Sequence, residues 1–309
     1  MKIVIELPTW LGDCIMATPA ISNIISNYKD PTVILIGSKA SLSVFADHPS
    51  VSKSYTLDRD FFSIFSLSKK IGKNDLFISF RGSTRSKLLR FLSSCKESYQ
   101  FNKIKFSQGH QVEKYNNFIN HSLGLSKVAN DLSIFAKLKR NNKYKNAIGI
   151  NPGAAYGSAK RWNPEKFAEV AEYFSKDYNI IIFGGTNEVD IGKQIESALA
   201  KKKINNIYNL SGRTSLVELF SLIKDLKLFI TGDSGPMHIA AVYKVPTVSI
   251  FGPTDQSKTC QWKNPHGTIV SLSLDCQPCM KRVCPLRHHQ CMKNISPRLV
   301  IDSALELVN

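Results

Sequence analysis

Four turns hold the residues of this chain that could do chemistry, and each lies between an apolar run and an amphipathic one. The first is Pro8-Thr9-Trp10-Leu11-Gly12-Asp13. Gly12 permits a tight turn, and Asp13 falls at the start of the helix that follows. A carboxylate there is either a helix N-cap or a general base that takes a proton from a hydroxyl. The second turn runs from Asn151 to Glu165. Its small residues let a ligand approach the backbone, and Lys160 and Arg161 set cations where a diphosphate could sit. A flexible basic surface loop is the plainer reading. The third is Thr231-Gly232-Asp233-Ser234-Gly235-Pro236-Met237-His238. It opens a helix with Ser234 as N-cap, and the backbone N–H groups of a helix N-terminus form an anion site. His238 is either part of that site or a satisfied interior histidine. The fourth, Phe80-Arg81-Gly82-Ser83-Thr84-Arg85-Ser86-Lys87 with Arg90 beyond, sets Arg81 and Arg85 four apart around a Gly turn. They either bind carboxylate or phosphate bidentately or form a basic exposed helix face.

Two other groups invite a metal. Asp58-Arg59-Asp60 has the form of a metal-binding Asp-x-Asp, but residues of this type also cap a helix, here one starting at Phe61. Cys276, Cys279, Cys284 and Cys291 fall within sixteen residues. Four thiolates would complete a tetrahedral structural zinc site, which leaves no open position for catalysis. The alternative is a tight knot of reduced, buried thiols.

The elements that position these turns alternate along the chain. Strands are expected at Lys2–Leu7, Thr32–Gly37, Ser54–Leu57, Asp75–Phe80 and Glu97–Phe101. Helices are expected at Ala17–Tyr28, Phe61–Ile71, Thr84–Ser93 and Val112–Leu123. The second half repeats the scheme, with strands at Ala147–Asn151, Asn179–Phe183, Asn206–Leu210, Leu226–Thr231 and Thr247–Phe251. Its helices fall at Pro164–Ser175, Glu188–Leu199, Ser215–Ile223, Pro236–Tyr243 and Pro297–Val308. Short buried strands flanked by helical periods predict parallel sheets covered on both faces. The expectation is therefore an α/β chain of two Rossmann-like doubly wound domains, 1–145 and 146–309, facing a cleft and joined by the basic stretch 137–145. The terminal helix could pack back on the first domain.

Composition narrows the partners. The chain carries 41 Lys+Arg against 24 Asp+Glu, a net +17. Residues 1–145 hold +12 of this and residues 146–309 hold +5. Such a surplus faces an anionic partner: nucleic acid, lipid headgroups or a phosphorylated small molecule. The 43% hydrophobic content excludes wholesale disorder, and no apolar run approaches a membrane span. Seven cysteines with no export signal point to reduced thiols and a cytoplasmic setting.

Together the motifs resemble the ADP-heptose:lipopolysaccharide heptosyltransferases, glycosyltransferase family 9. The resemblance rests on Gly12-Asp13 with Ala17-Thr18-Pro19, the Pro152-Gly153…Lys160-Arg161-Trp162 loop, Gly232–Ala241 and Phe251–Asp255, in this order. The segment 276–291 is most similar to that of the heptosyltransferase II group. The resemblance implies a glycosyltransferase B fold, an acceptor-binding N-terminal domain and a donor-binding C-terminal one. It implies inverting transfer from ADP-heptose to the inner-core heptose of a lipid A–Kdo–heptose acceptor, with no cofactor and no required metal. Asp13 becomes the base and Lys160 the cation for the leaving diphosphate. The turn Asp233, Ser234, Gly235 and Pro236 offers backbone N–H groups to the phosphates, His238 lines the same pocket, and Glu188 or its neighbour Asp190 holds the ribose. Where relatives carry a Thr pair, this chain has Ala155 and Tyr156. Arg81 and Arg85 are the expected acceptor contacts, and the other first-domain lysines are expected to hold the enzyme at the cytoplasmic face of the anionic inner membrane. Alternatives are heptosyltransferase I, a family member using another nucleotide sugar or, from a different class, a nucleic-acid-binding protein with a zinc knuckle. The missing aromatic-and-basic platform counts against the last, so no nucleic-acid partner is expected.

Overall fold

The computed structural model describes residues 1–57, 62–139 and 143–308; Asp58-Arg59-Asp60 lies outside them. The chain divides into two compact units, Met1–Lys137 and Leu138–Asn309. The boundary falls ahead of the expected 145 because part of the basic stretch is already committed. The Lys137 N–H donates to Asp47 Oδ2 at 2.7 Å, and the Lys139 carbonyl accepts from Ser221 Oγ.

Unit 1 runs β1 (Lys2–Glu6), α1 (Leu11–Ile25), β2 (Thr32–Gly37), α2 (Lys39–Ser43), β3 (Val51–Thr56), α3 (Phe62–Ile71), β4 (Asn74–Ser79), α4 (Thr84–Leu92), β5 (Cys95–Gln100) and α5 (Gln111–Leu123). Its sheet is parallel throughout, in the order β3-β2-β1-β4-β5. Ile3, Val4 and Ile5 of β1 and Leu76, Phe77 and Ile78 of β4 are fully buried, as central strands covered on both faces require. The short α2 has no counterpart among the expected helices. Five residues hold too little periodicity to read, and its start is fixed by Ser38 Oγ accepting from the Ser41 N–H at 3.1 Å.

Unit 2 runs β6 (Ala147–Asn151), α6 (Pro164–Phe174), β7 (Asn179–Ile182), α7 (Val189–Lys201), β8 (Ile207–Asn209), α8 (Leu216–Lys224), β9 (Leu228–Gly232), α9 (Gly235–Val242), β10 (Thr247–Phe251), α10 (Gln256–Thr259), β11 (Gly267–Ser271), α11 (Gln290–Lys293) and α12 (Pro297–Val308). Its parallel sheet has the order β11-β10-β9-β6-β7-β8. The unexpected strand, β11, is an edge strand in which only Val270 is buried, so its sequence carries no apolar run. The helix expected at Pro164 starts there: Asn163 Oδ1 accepts from the Glu165 N–H at 2.9 Å, and Pro164 takes the first helical position. The terminal α12 packs on α6, β9, β10 and β11 of its own unit and sinks Val300, Ile301 and Ala304 into that core. No described helix is long and apolar enough to cross a membrane.

Both strand orders reverse direction beside the first strand of the unit. In open α/β sheets the crevice at such a switch point receives ligands. In unit 1 the reversal brings the turns after β1 and β4 together; in unit 2, those after β6 and β9.

Candidate active site

The unit 1 crevice is a depression of about 800 Å³. Asp13 lines it together with Trp10, Arg81, Lys87, Arg90 and Lys103. One carboxylate thus stands among four cations, an arrangement suited to a base serving an anionic acceptor. Helix α1 begins earlier than the sequence suggested, and this changes the role of Asp13. Trp10 occupies the N-cap without a side-chain cap, and Asp13 lies inside the first turn. Asp13 is therefore not the cap, and the helix N-terminus favours its negative charge. That charge adds to burial, the larger cause, in pushing the Cys14 and Tyr115 side chains well above their ordinary pKa values. The Thr18-Pro19 pair lets α1 continue past its proline. Pro19 has no N–H for the Ile15 carbonyl, and Thr18 Oγ1 donates to that oxygen instead, at 2.7 Å.

Arg81 is less free than the sequence implied. Its guanidinium lies 3.4 Å from Glu6, a fully buried carboxylate at the end of β1. Ser79 Oγ and Ser86 Oγ donate to the two oxygens of Glu6 at 2.6 and 2.8 Å. Burial raises the pKa of Glu6, while these hydroxyls, Arg81 and Arg85 oppose the rise. Arg85 acts on this buried carboxylate and, among the described residues, stands outside the cleft lining. In the sequence Glu6 stands only as a single acidic residue within the apolar run Ile3–Leu7. Glu6→Ala strands two serines and Arg81 together, so unfolding free energy should fall by roughly 2–3 kcal/mol. Glu6→Gln keeps an acceptor oxygen and should fall by less. Chemical denaturation of both variants measures the difference.

In unit 2, Lys160 and Asp233 meet at the switch point. Lys160 ends a short 3-10 turn, Ser158–Lys160, and its Nζ lies 2.5 Å from Asp233 Oδ2. Thr254 Oγ1 donates to the same oxygen at 2.7 Å. Asp233 is buried and the Lys160 side chain is 12% exposed, so the pair is largely shielded from water. Ser234 is the N-cap of α9, yet its hydroxyl makes no capping bond. It lies 3.2 Å from Asn151 Nδ2 and 3.1 Å from Thr231 Oγ1, which ties β6 to β9. Pro236 has no N–H, so it cannot join the backbone donors of this turn, and the Met237 N–H is already engaged by the Ser234 carbonyl at 3.2 Å. His238 is buried in the first turns of α9.

Glu188 closes the same neighbourhood. Its Oε2 accepts from the Gly185 N–H at 2.8 Å, and a Cβ on Gly153 would stand 2.0 Å from the carboxyl carbon. Only glycine at 153 lets this carboxylate reach the Lys160 loop. Asp190 is exposed in the first turn of α7. Three contributors escaped sequence reading. Asn151 and Thr254 lay inside quoted motifs without a role. Arg282 stands with its guanidinium 5.2 Å from the Tyr156 ring centroid, and Lys160 Nζ lies 4.7 Å from the same ring.

The cysteine segment braces the Lys160 loop. The Ala159 N–H donates to the Arg282 carbonyl at 3.0 Å, and the Tyr156 hydroxyl donates to the Met280 carbonyl at 2.9 Å. Cys276, Cys279, Cys284 and Cys291 line one cavity of about 20 Å³ beside His288 and His289. All four are free thiols. Among the described residues, no group of three or more His, Cys, Asp or Glu is placed to hold a metal ion. Burial, with the neighbouring thiols adding to it, pushes Cys291 up to about 11.

Comparison with known proteins agrees with this architecture. The chain is 43% identical to lipooligosaccharide heptosyltransferase 2 of Campylobacter jejuni subsp. jejuni serotype O:2, across 100% of this chain and 98% of that one. The solved structure of E. coli ADP-heptose lps heptosyltransferase II superposes with a TM-score of 0.82 at 21% identity, covering 100% of this chain and 98% of the other. E. coli heptosyltransferase WaaC with ADP-2-deoxy-2-fluoro heptose gives a TM-score of 0.73 at 15% identity, covering 99% of each chain. The model of glycosyltransferase family 9 (heptosyltransferase) matches residues 64–290. With its two parallel sheets and that match over most of its length, the chain belongs to glycosyltransferase family 9 and is a glycosyltransferase.

Proposed function

We propose that this protein is a heptosyltransferase of type II, moving heptose from ADP-heptose to the inner-core heptose of a lipid A–Kdo–heptose acceptor. The observation that carries the reading is the division of charge between the two switch points. Unit 1 presents one carboxylate among cations; unit 2 presents a shielded Lys160 at the N-terminus of a helix. Asp13 takes the proton of the acceptor hydroxyl. Lys160 and the backbone N–H groups of the turn Asp233–Gly235 stabilise the leaving diphosphate, the work a metal ion does in other transferases. Glu188 binds the ribose, and His238 lines the donor pocket. A single in-line displacement inverts the anomeric centre and needs one base and one stabilised leaving group. The acceptor's phosphates and acidic sugars suit the cationic cleft, and an anionic leaflet suits the first unit's surplus charge. On this reading the enzyme works at the cytoplasmic face of the inner membrane.

The test is a transfer assay with ADP-heptose and a one-heptose inner-core acceptor, with and without a metal chelator. Addition of one heptose in both conditions is expected. Transfer only to a heptose-free core would assign type I activity. Transfer from a different nucleotide sugar would overturn the donor, and a chelator-sensitive rate would overturn metal independence.

A further inference from the structure

The rim of the unit 1 cleft carries a pattern that sugar chemistry does not require. Ile104, in the turn after β5, is 88% exposed, and Phe91, at the end of α4, is 84% exposed. Trp10, before α1, is 53% exposed. Trp10 and Ile104 line the cleft itself. Each of Phe91 and Ile104 sits beside cations. Ile104 lies between Lys103 and Lys105, and Phe91 follows Arg90. Lys87 is one helical turn before Phe91 on α4, so the two share a stripe of that helix. Lys87, Arg90 and Lys103 also line the cleft.

Large apolar side chains left in water among cations have one natural complement. Aromatic and aliphatic groups enter the headgroup and upper acyl region of a bilayer, while Lys and Arg meet anionic headgroups. A nucleic acid or an acidic peptide would take the cations and leave Ile104 and Phe91 in water. A second copy of this chain would cover the apolar groups, but its own rim would set Lys against Lys across a two-fold axis.

We propose that the cleft rim docks on an anionic lipid surface, with Trp10, Phe91 and Ile104 entering the headgroup region and Lys87, Arg90 and Lys103 meeting the lipid charges. The proposal rests on reading the acceptor as a lipid-anchored sugar. A cleft that opens at the bilayer receives the sugar of such a lipid without extracting its acyl chains. It also moves the membrane contact from scattered lysines to one face of unit 1.

Cosedimentation of the full chain with vesicles tests it, using phosphatidylcholine alone and phosphatidylcholine mixed with phosphatidylglycerol. Wild type should bind the mixed vesicles, lose that binding at high salt, and bind the neutral vesicles weakly. The double variant Phe91→Ser/Ile104→Ser should lose on the order of tenfold or more in partitioning onto mixed vesicles. Its melting temperature and ADP binding should stay at wild-type values, since both side chains are exposed. Equal partitioning of variant and wild type would overturn the proposal, as would no vesicle binding by wild type. A wild-type dimer that the double variant dissolves, seen by sedimentation velocity, would overturn it in favour of a second copy. Transfer to a delipidated acceptor by wild type reports separately on the acceptor reading, which can stand while the docking surface falls.

Discussion

Asp13→Asn should lower the transfer rate by about 10²–10⁴-fold while ADP binding stays near wild type. The substitution is nearly isosteric, so it isolates proton acceptance from shape. Asp13 sits inside the first turn of α1 and is not its cap, so the helix start does not depend on its carboxylate. Trp10 supplies the N-cap position, and Cys14 closes the first turn with its N–H donating to the Trp10 carbonyl at 2.9 Å. The variant should therefore fold and melt close to wild type. ADP binding is assigned to unit 2, so calorimetry with ADP should show no large change. The rate loss belongs in kcat, because an amide cannot take the hydroxyl proton once both substrates are bound. An Asp13→Asn enzyme with wild-type turnover would place the base elsewhere.

The architecture that puts Asp13 in the cleft was legible because parallel α/β folds announce themselves locally. An apolar strand, a Gly-bearing turn and an amphipathic helix each occupy a short window, and strand order then brings the turns together. β2, β6, β10 and α12 match their expected bounds residue for residue. The misses share a different physics. β11 is an edge strand whose one buried side chain leaves little pattern to read. Glu6 is held by Ser79 and Ser86, which lie more than seventy residues away in sequence. No window sees that network, and without it Arg81 looks like a free cation. α1 starts at Leu11, ahead of the expected Ala17, and runs on through Pro19 because the Thr18 hydroxyl repairs the bond that Pro19 breaks. For the cysteine segment, spacing alone admitted both a metal site and a thiol knot. The fold shows what spacing could not, that the backbone at Met280 and Arg282 buttresses the loop carrying Lys160.

Lys160→Ala should be the second severe variant, with kcat/KM for the donor falling by about 10²–10³-fold. Two effects act together. The variant loses the cation beside the leaving diphosphate, and it leaves the Asp233 carboxylate buried with Thr254 as its remaining side-chain donor. That carboxylate then faces an incoming anion from a shielded position, where repulsion is strong. The second effect yields a sharper test than the single variant. Asp233→Asn in the Lys160→Ala background removes the uncompensated charge and should restore part of the ADP affinity. Asp233→Asn alone should weaken binding, since it removes the negative charge that orients Lys160. The double-mutant cycle should therefore show coupling well outside additivity, as expected for groups in one network. Unchanged donor kinetics in Lys160→Ala would remove this lysine from the site. Additive losses would show that Asp233 and Lys160 act on the donor independently, despite the 2.5 Å that separates their charged atoms.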